Sequence, residues 1–138
     1  ESALGPDVDT AVREMVRDFR ERNDTTIELR SEAEGIPARH GVGFELVQIV
    51  REGLTNILRH ARADSALVTV AAEPMGFNLV IKDDGCGFPT AADSNNGELP
   101  PSAAPWSIRE RVEALGGTLS LTSHVGGGTE IRITLPRE

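Results

Sequence analysis

Two pairs of short segments with alternating apolar residues constrain the fold of this chain more than any other feature. The first pair is Ala66–Ala72 and Phe77–Lys82, which are joined through Pro-Met-Gly. The second pair is Leu119–Ser123 and Thr129–Leu135, which flank three consecutive glycines. Alternation with a period of two predicts half-buried strands, and such short connections predict hairpins. We therefore expect a sheet that is largely antiparallel.

Helical spacing of apolar residues predicts three helices. The first covers about residues 8–22, and the second, long helix covers about residues 41–62. The third begins at the capping box Ser107-Ile108-Arg109-Glu110 and continues through Leu115. Gly116-Gly117 then ends it.

The order of the elements predicts the fold class. A further strand at Thr26–Arg30 makes the order helix, strand, helix, strand, strand, loop, helix, strand, strand. This order is not the strict alternation of a doubly wound dinucleotide-binding fold. It predicts an α/β two-layer sandwich, with a mixed, mostly antiparallel sheet of about five strands and three helices on one face. The 138 residues show no repeat or domain boundary, so we expect one domain over residues 1–138.

Composition excludes several classes of function. The formal net charge is -8, which argues against docking on nucleic-acid phosphates and favours a metal cation beside any phosphorylated ligand. A single cysteine excludes an internal disulfide and a multi-cysteine zinc site. No apolar run approaches the roughly 18 residues of a membrane span, and no secretory leader is recognisable. We therefore expect no direct membrane contact.

One loop motif suggests a ligand site. Asp83-Asp84-Gly85-Cys86-Gly87-Phe88 follows a predicted strand directly. Its glycines permit a sharp turn and a close approach of the backbone to a ligand. A carboxylate beside such a loop can accept hydrogen bonds from an exocyclic amine or from ordered water. An isolated motif of this kind is more often a plain turn with a solvated aspartate.

The polar face of the long helix suggests a second part of the same site. Glu52 and Asn56 are four residues apart, which makes their side chains neighbours. A carboxylate beside an amide oxygen can hold Mg²⁺ or orient a nucleophile near a phosphoryl group. Arg59 and His60 could meet phosphate oxygens. A polar face opposite an apolar one is, however, ordinarily just the solvated side of a helix.

In combination, these segments resemble the histidine-kinase-type ATPases, the GHKL superfamily with the Bergerat fold. Glu52–Ala61 resembles the N box of that family, Asp83–Phe88 its first glycine box and Gly126–Ile131 its last glycine box. Ile108–Val112 together with Leu115-Gly116-Gly117 is similar to the helix after the ATP lid in the nitrate-sensor-like subgroup. The boxes occur in the family's order along the chain.

The resemblance implies roles at the base end of an ATP site. Asp83 would accept a hydrogen bond from the adenine amino group. Gly85 and Gly87 would let the loop pass close to the nucleotide, and Thr129 would support the adenine pocket beside Asp83.

It also implies roles at the phosphate end. Asn56 would ligate Mg²⁺, and Glu52 would orient or polarise the attacking group. Arg59 and His60 would lie near the phosphates.

The function implied by the resemblance is that of the ATP-binding catalytic domain of a two-component sensor histidine kinase, with ATP and Mg²⁺ as cofactors. Such a domain transfers the γ-phosphoryl group to a histidine in an upstream dimerisation and phosphoacceptor domain, for relay to a response regulator. No such segment is recognisable here, so we expect the chain by itself to be inactive in transfer. We expect a cytoplasmic domain of a membrane-anchored bacterial kinase, with ATP or ADP, the upstream helices and a response regulator as partners.

One departure from the family pattern leaves alternatives open. A flexible ATP lid is expected at about residues 89–106, ending in a second glycine box. Here Ser102–Ser107 contains no glycine, and Pro105 lacks an N–H. A degenerate nucleotide-sensing or interaction module is therefore one alternative. An anti-sigma-factor serine kinase, which shares the fold and boxes, is another.

Overall fold

The computed structural model describes residues 6–85, 98–124 and 127–137. Gly87 and residues 89–97 of the expected lid lie outside the described residues, as does the side chain of His60.

The three predicted helices are confirmed. They are α1 (Val8–Arg22), α2 (Gly41–Asn56) and α3 (Trp106–Ala114). The long helix was predicted to run as one α-helix to residue 62, but after Asn56 it continues as a π-helical turn, Ile57–Ala61. This turn ends at Arg62, whose φ of 54° is left-handed. Sequence periodicity does not distinguish one π-helical turn from an α-helical one, because apolar spacing changes by only one residue.

Six strands of the described chain form one sheet in the order β1-β2-β3-β6-β5-β4. Their bounds are β1 Thr26–Glu32, β2 Ser65–Glu73, β3 Gly76–Asp83, β4 Glu98–Leu99, β5 Thr118–His124 and β6 Gly128–Pro136. β1 and β2 are parallel and the other pairs are antiparallel, so the mixed sheet and both hairpins are confirmed. The expectation of five strands omitted β4, whose two residues are too few for alternation to be recognised.

The predicted capping box at the start of α3 is wrong, although the helix is confirmed. α3 begins at Trp106 with Pro105 at the N-cap, and no side chain caps it. Ser107 therefore lies inside the first turn, where the Pro105 carbonyl accepts the Arg109 N–H at 3.1 Å. Gly116, with a φ of 73°, ends the helix as predicted.

The apolar core lies between the helices and one face of the sheet. Phe77, Leu79 and Ile81 of β3 point into it, whereas the intervening residues of β3 are at least partly exposed. α2 packs directly on this face, because a Cβ on Gly53 would lie 2.6 Å from Ile81 Cδ1. These contacts produce the expected two layers. None of the helices in the described ranges has the length and apolar character needed to cross a membrane.

Candidate functional site

The core-facing side of the sheet ends in a polar row. Strand register pairs Ile81 with Ile131 and then, two residues further along β3, pairs Asp83 with Thr129. Thr129 in turn pairs with Ser123 of β5. Asp83 is 7% exposed and Ser123 is completely buried. Polar groups at core positions cost free energy unless they are hydrogen-bonded, so this row indicates a site rather than a continuation of the core.

Asp83 is a buried carboxylate held by the backbone. Its Oδ1 accepts the Gly85 N–H at 2.8 Å, and the Thr129 N–H also donates to the carboxylate. Burial raises the pKa of Asp83, and the charge of Asp84 adds to this effect, while the two backbone hydrogen bonds oppose it. A ligand N–H donor would offset the cost of ionising this carboxylate in a buried position.

The neighbouring Asp84 has a structural part in the site. Its Oδ1 accepts the N–H groups of Asp64 and Ser65, each at 2.9 Å, and its Oδ2 accepts the Ser65 hydroxyl at 2.9 Å. These bonds, with that of the Ser65 backbone the strongest, lower the pKa of Asp84. The end of β3 is thereby fixed to the beginning of β2.

A glycine makes room for the Asp83 backbone. Gly128, at the beginning of β6, has a φ of 91°, and a Cβ there would lie 2.0 Å from the Asp83 carbonyl oxygen. No larger residue fits this approach without a backbone shift. The third glycine of the last glycine box thus lets β6 lie against β3 at the carboxylate.

The second half of the site comes from α2. Only Arg62–Asp64 separate the π-helical turn from β2, and Ala66 near the beginning of β2 pairs with Asp83. The carboxyl end of this helix therefore lies at the polar end of the sheet. Glu52 and Asn56 are both partly buried, one helical turn apart, whereas Arg59 is exposed.

Sequence reasoning missed an arginine that binds Glu52. Arg111 Nε of α3 donates to Glu52 Oε2 at 3.1 Å, and its NH1 group donates to Glu45 Oε1 at 2.5 Å. Hydrogen bonding to Glu45, more than to Glu52, raises the pKa of Arg111, while partial burial opposes this. Glu52 Oε1 is buried and has no hydrogen-bond partner within the described part of the chain.

The position of Glu45, seven residues before Glu52, was the available signal for this contact. Two carboxylates two turns apart on one helix face favour a cationic side chain from a neighbouring element between them. Which arginine of the third helix supplies it depends on the rotation of α3 against α2, and a single sequence does not reveal that rotation.

In the segment that replaces the second glycine box, backbone N–H groups are engaged in local hydrogen bonds. Residues Pro101–Ala103 form a 3₁₀ turn. The Ala103 N–H donates to Pro100 O at 2.9 Å and the Ala104 N–H donates to Pro101 O at 3.0 Å. These amides are therefore engaged and do not face outward as anion donors.

Comparison with known proteins agrees with this geometry. Residues 41–138 match the family of histidine kinase-, DNA gyrase B- and HSP90-like ATPases. The chain belongs to this ATPase family. The resemblance inferred from the boxes at Glu52, Asp83 and Gly126 is confirmed, and the chain is an ATP-binding domain of the histidine-kinase type.

Two curated relatives of this chain are sensor proteins. The chain is 32% identical to the nitrate/nitrite sensor protein NarX of Escherichia coli K12 over 99 residues, which are 72% of this chain and 15% of NarX. It is 30% identical to the nitrate/nitrite sensor protein NarQ of the same strain over 132 residues, which are 93% of this chain and 22% of NarQ. The chain thus spans less than a quarter of either relative.

A solved structure has the same fold. The histidine kinase domain of the blue-light activated kinase EL346 from Erythrobacter litoralis superimposes with a TM-score of 0.74. The superposition covers 95% of this chain and 61% of that one, at 20% sequence identity. The two-layer ATPase fold is therefore shared at low sequence identity.

Proposed function

We propose that this domain binds Mg·ATP and transfers the γ-phosphoryl group to a histidine in an upstream phosphoacceptor segment of a sensor kinase. The observation that carries the proposal is the buried Asp83 at the polar end of the sheet, held by two backbone N–H groups and seated against Gly128. A carboxylate buried in this way needs a donor, and the exocyclic amine of adenine supplies one. Guanine presents a carbonyl oxygen at the equivalent position and would be repelled.

At the phosphate end, the Asn56 side chain on α2 would offer an amide oxygen to a hard cation. Glu52 Oε1, a buried oxygen without a partner in the described residues, would be left for the attacking group. Mg²⁺ prefers oxygen ligands and typically uses few from the protein, with phosphates and water supplying the rest. Within the described ranges no three His, Cys, Asp or Glu side chains cluster as a metal cage, so nucleotide phosphates would complete the shell. When bound, Mg²⁺ neutralises charge on the phosphates.

The remaining roles are those of positioning. Glu52 would accept the N–H of the attacking imidazole and orient its other nitrogen towards the γ-phosphorus. Arg59 and His60 would lie near the phosphates. Arg111 would keep Glu52 in place, because phosphoryl transfer depends chiefly on geometry and charge neutralisation.

The setting of the domain is part of the proposal. Residues 1–138 would form one catalytic domain with its lid at about residues 89–106. The phosphoacceptor helices would lie upstream in the encoded protein, and a response regulator would receive the phosphoryl group. The relatives are sensor proteins of which this chain corresponds to a minor part, which supports a place for it within a longer sensor protein. A cytoplasmic position in a membrane-anchored kinase completes the proposal.

Two measurements test the proposal. Isothermal titration of the 138-residue chain should show binding of Mg·ATP and Mg·ADP, and no detectable affinity at millimolar nucleotide would refute it. A longer protein that includes the upstream helices should acquire acid-labile phosphate from γ-labelled ATP, and Glu52→Gln should abolish the labelling.

A degenerate binding module is the second candidate, favoured by the engaged amides of Ala103 and Ala104. It predicts that nucleotide binds but that the longer protein acquires no phosphohistidine. Acid-stable phosphoserine on a separate protein would instead indicate the anti-sigma-factor kinase.

A further inference from the structure

Asp84 is exposed, yet its hydrogen bonds all go to one short segment of the chain. Its carboxylate accepts the N–H groups of Asp64 and Ser65 and the Ser65 hydroxyl, and its own N–H donates to the Ser65 carbonyl at 3.2 Å. Water solvates an exposed carboxylate well, so stability alone is a weak reason for this set of contacts. Their main effect is to fix residues 62–65 against the end of β3.

The segment of residues 62–65 leads from the π-helical turn into β2. It begins at Arg62, which alone among the non-glycine residues of the described ranges has a positive φ, 54°. A left-handed conformation is unfavourable for a residue with a Cβ, so it persists only where surrounding contacts hold it. On one side the Thr26 N–H donates to the Asp64 carbonyl at 2.9 Å, and on the other Asp84 accepts the Asp64 N–H. The exit of the π-helical turn is thereby fixed between β1 and β3.

Asp84 joins two parts of the site that are otherwise held separately. The carboxylate of Asp83 is held by the N–H groups of Gly85 and Thr129, and its backbone pairs with β6, so none of these contacts involves the Asp84 side chain. The π-helical turn carries Arg59 and is followed directly by the segment that Asp84 binds. Asp84 thus follows Asp83 in the sequence and is hydrogen-bonded to the exit of that turn.

We propose that Asp84 is a positioning residue of the nucleotide site, which holds the π-helical turn, and with it Arg59, in a fixed position relative to Asp83. The inference rests on the proposed function, in which Asp83 binds the base and Arg59 lies near the phosphates. A nucleotide spans both parts, so its affinity depends on their separation being set before it binds. Asp84 acts through the backbone of residues 62–65.

The test measures the affinity of the 138-residue chain for ADP in the presence of Mg²⁺, by isothermal titration. A double-mutant cycle combines Asp84→Ala with Arg59→Met, which removes the guanidinium and keeps a long side chain. Asp84→Asn is the conservative variant, because its amide oxygen can still accept the two N–H groups. Val12→Ala in α1 is the control for lost stability. Thermal unfolding establishes that each variant is folded, and Ser65→Ala takes the place of Asp84→Ala if that variant does not fold.

We expect Asp84→Ala to weaken ADP binding about three- to tenfold, and Arg59→Met to weaken it by a similar factor in the otherwise wild-type chain. In the Asp84→Ala background, Arg59→Met should change ADP affinity by less than about twofold, because the guanidinium is then no longer held near the phosphates. Asp84→Asn and Val12→Ala should each bind ADP within about twofold of wild type.

Several results would overturn the inference. If Arg59→Met weakens binding equally with and without Asp84, then Asp84 does not act through the π-helical turn. An equal loss in Val12→Ala would indicate a general effect of stability, and an equal loss in Asp84→Asn would indicate an effect of charge. An unchanged affinity in Asp84→Ala or in Arg59→Met would also refute the proposal. All of these outcomes leave the proposed function intact, whereas a wild-type chain that binds no ADP would refute that function itself.

Discussion

Asp83 and Asp84 are adjacent residues in opposite environments. Burial raises the pKa of Asp83 above the ordinary aspartate value of 3.8, whereas hydrogen bonds from Ser65 and Asp64 lower that of the exposed Asp84. A raised pKa in the folded state means that the contribution to stability is present below 3.8 and is lost as pH rises through the folded-state value. For Asp84 the sign is reversed, because its contribution is present above 3.8 and is lost as pH falls.

Asp83→Asn should therefore separate binding from stability. The variant loses a charge-assisted hydrogen bond to the adenine amine, so ADP affinity should fall about 10- to 100-fold. Without nucleotide, its midpoint of thermal unfolding at pH 7 should equal or exceed that of wild type, because no carboxylate then has to ionise in a buried position. Titration calorimetry and thermal melts check the two halves. Equal ADP affinity in the variant and wild type would rule out Asp83 as the adenine anchor.

Asp84→Ala should lower stability in a pH-dependent way. The change removes three hydrogen bonds at an exposed position, so we expect a loss of about 1 kcal/mol in the free energy of unfolding at pH 7. The difference from wild type should shrink as pH falls below 3.8 and through the lowered pKa of Asp84 in the folded state. Urea denaturation between pH 3 and 7 measures it. Glu110→Ala, which removes an exposed charge from α3, is the control. An equal effect of both variants would show that the hydrogen bonds of Asp84 to Asp64 and Ser65 do not stabilise the fold.

At the scale of elements, the turn between β5 and β6 is predicted to tolerate one glycine replacement and not the next. Gly128→Ala places a Cβ 2.0 Å from a backbone oxygen at a φ of 91°, so it should cost more than about 2 kcal/mol and abolish nucleotide binding. In Gly127→Ala the nearest atom to the new Cβ is His124 Cβ, at 3.1 Å, so the cost should be about 1 kcal/mol or less. Chemical denaturation of both variants measures the difference. Similar losses would contradict the close approach at Asp83.

The α2–α3 contact can be tested through Arg111. Arg111→Met keeps most of the volume but leaves Glu45 and Glu52 without their shared cation, so we expect a loss of about 1–2 kcal/mol in stability. In the longer protein, kcat for histidine phosphorylation should fall about tenfold or more with little change in KM for ATP. Glu45→Gln is the matched control, since it leaves the Arg111 contact to Glu52 intact. If Glu45→Gln lowers kcat as much, Arg111 does not act through Glu52.

The elements around the site differ in how well the sequence predicts them. Strands β2, β3, β5 and β6 are predictable from alternation because one face of each is buried. The position of Asp83 at the end of β3 is predictable because a glycine loop follows that strand. Arg111, by contrast, is separated in the sequence from Glu52 by 59 positions and from Glu45 by 66 positions. Its contacts with them depend on how two helices are rotated against each other. The failed capping box has a local cause: Pro105 occupies the N-cap and the helix begins at Trp106, so Ser107 already lies inside the first turn.

At the scale of the whole molecule, the folded unit is larger than the region that matches the family. That match begins at residue 41, whereas α1 and β1 precede it. Val8, Val12 and Val16 of α1 have no exposed surface, and β1 pairs with β2 over seven residues in parallel register. Asp7 caps α1 through the Thr10 N–H and also accepts the Gly35 N–H, both at 2.8 Å. Residues 6–40 therefore complete both the core and the sheet.

A chain reduced to residues 41–138 should consequently fail to fold cooperatively, even though it retains every box of the ATP site. Each fully buried valine contributes about 1.5–3 kcal/mol, so the loss of α1 and β1 removes stability comparable to the 5–15 kcal/mol that holds a typical domain together. It also exposes the edge of β2 to pairing with other chains. Thermal melts, binding of a hydrophobic dye and ADP titration of the reduced chain measure these effects. Val12→Ala in the full chain should cost about 1–3 kcal/mol, while Glu14→Ala on the exposed side of α1 should cost less than about 0.5 kcal/mol. A reduced chain that melts cooperatively and binds ADP like wild type would show that α1 and β1 are an accessory layer. The core formed by residues 41–138 would then be sufficient for folding.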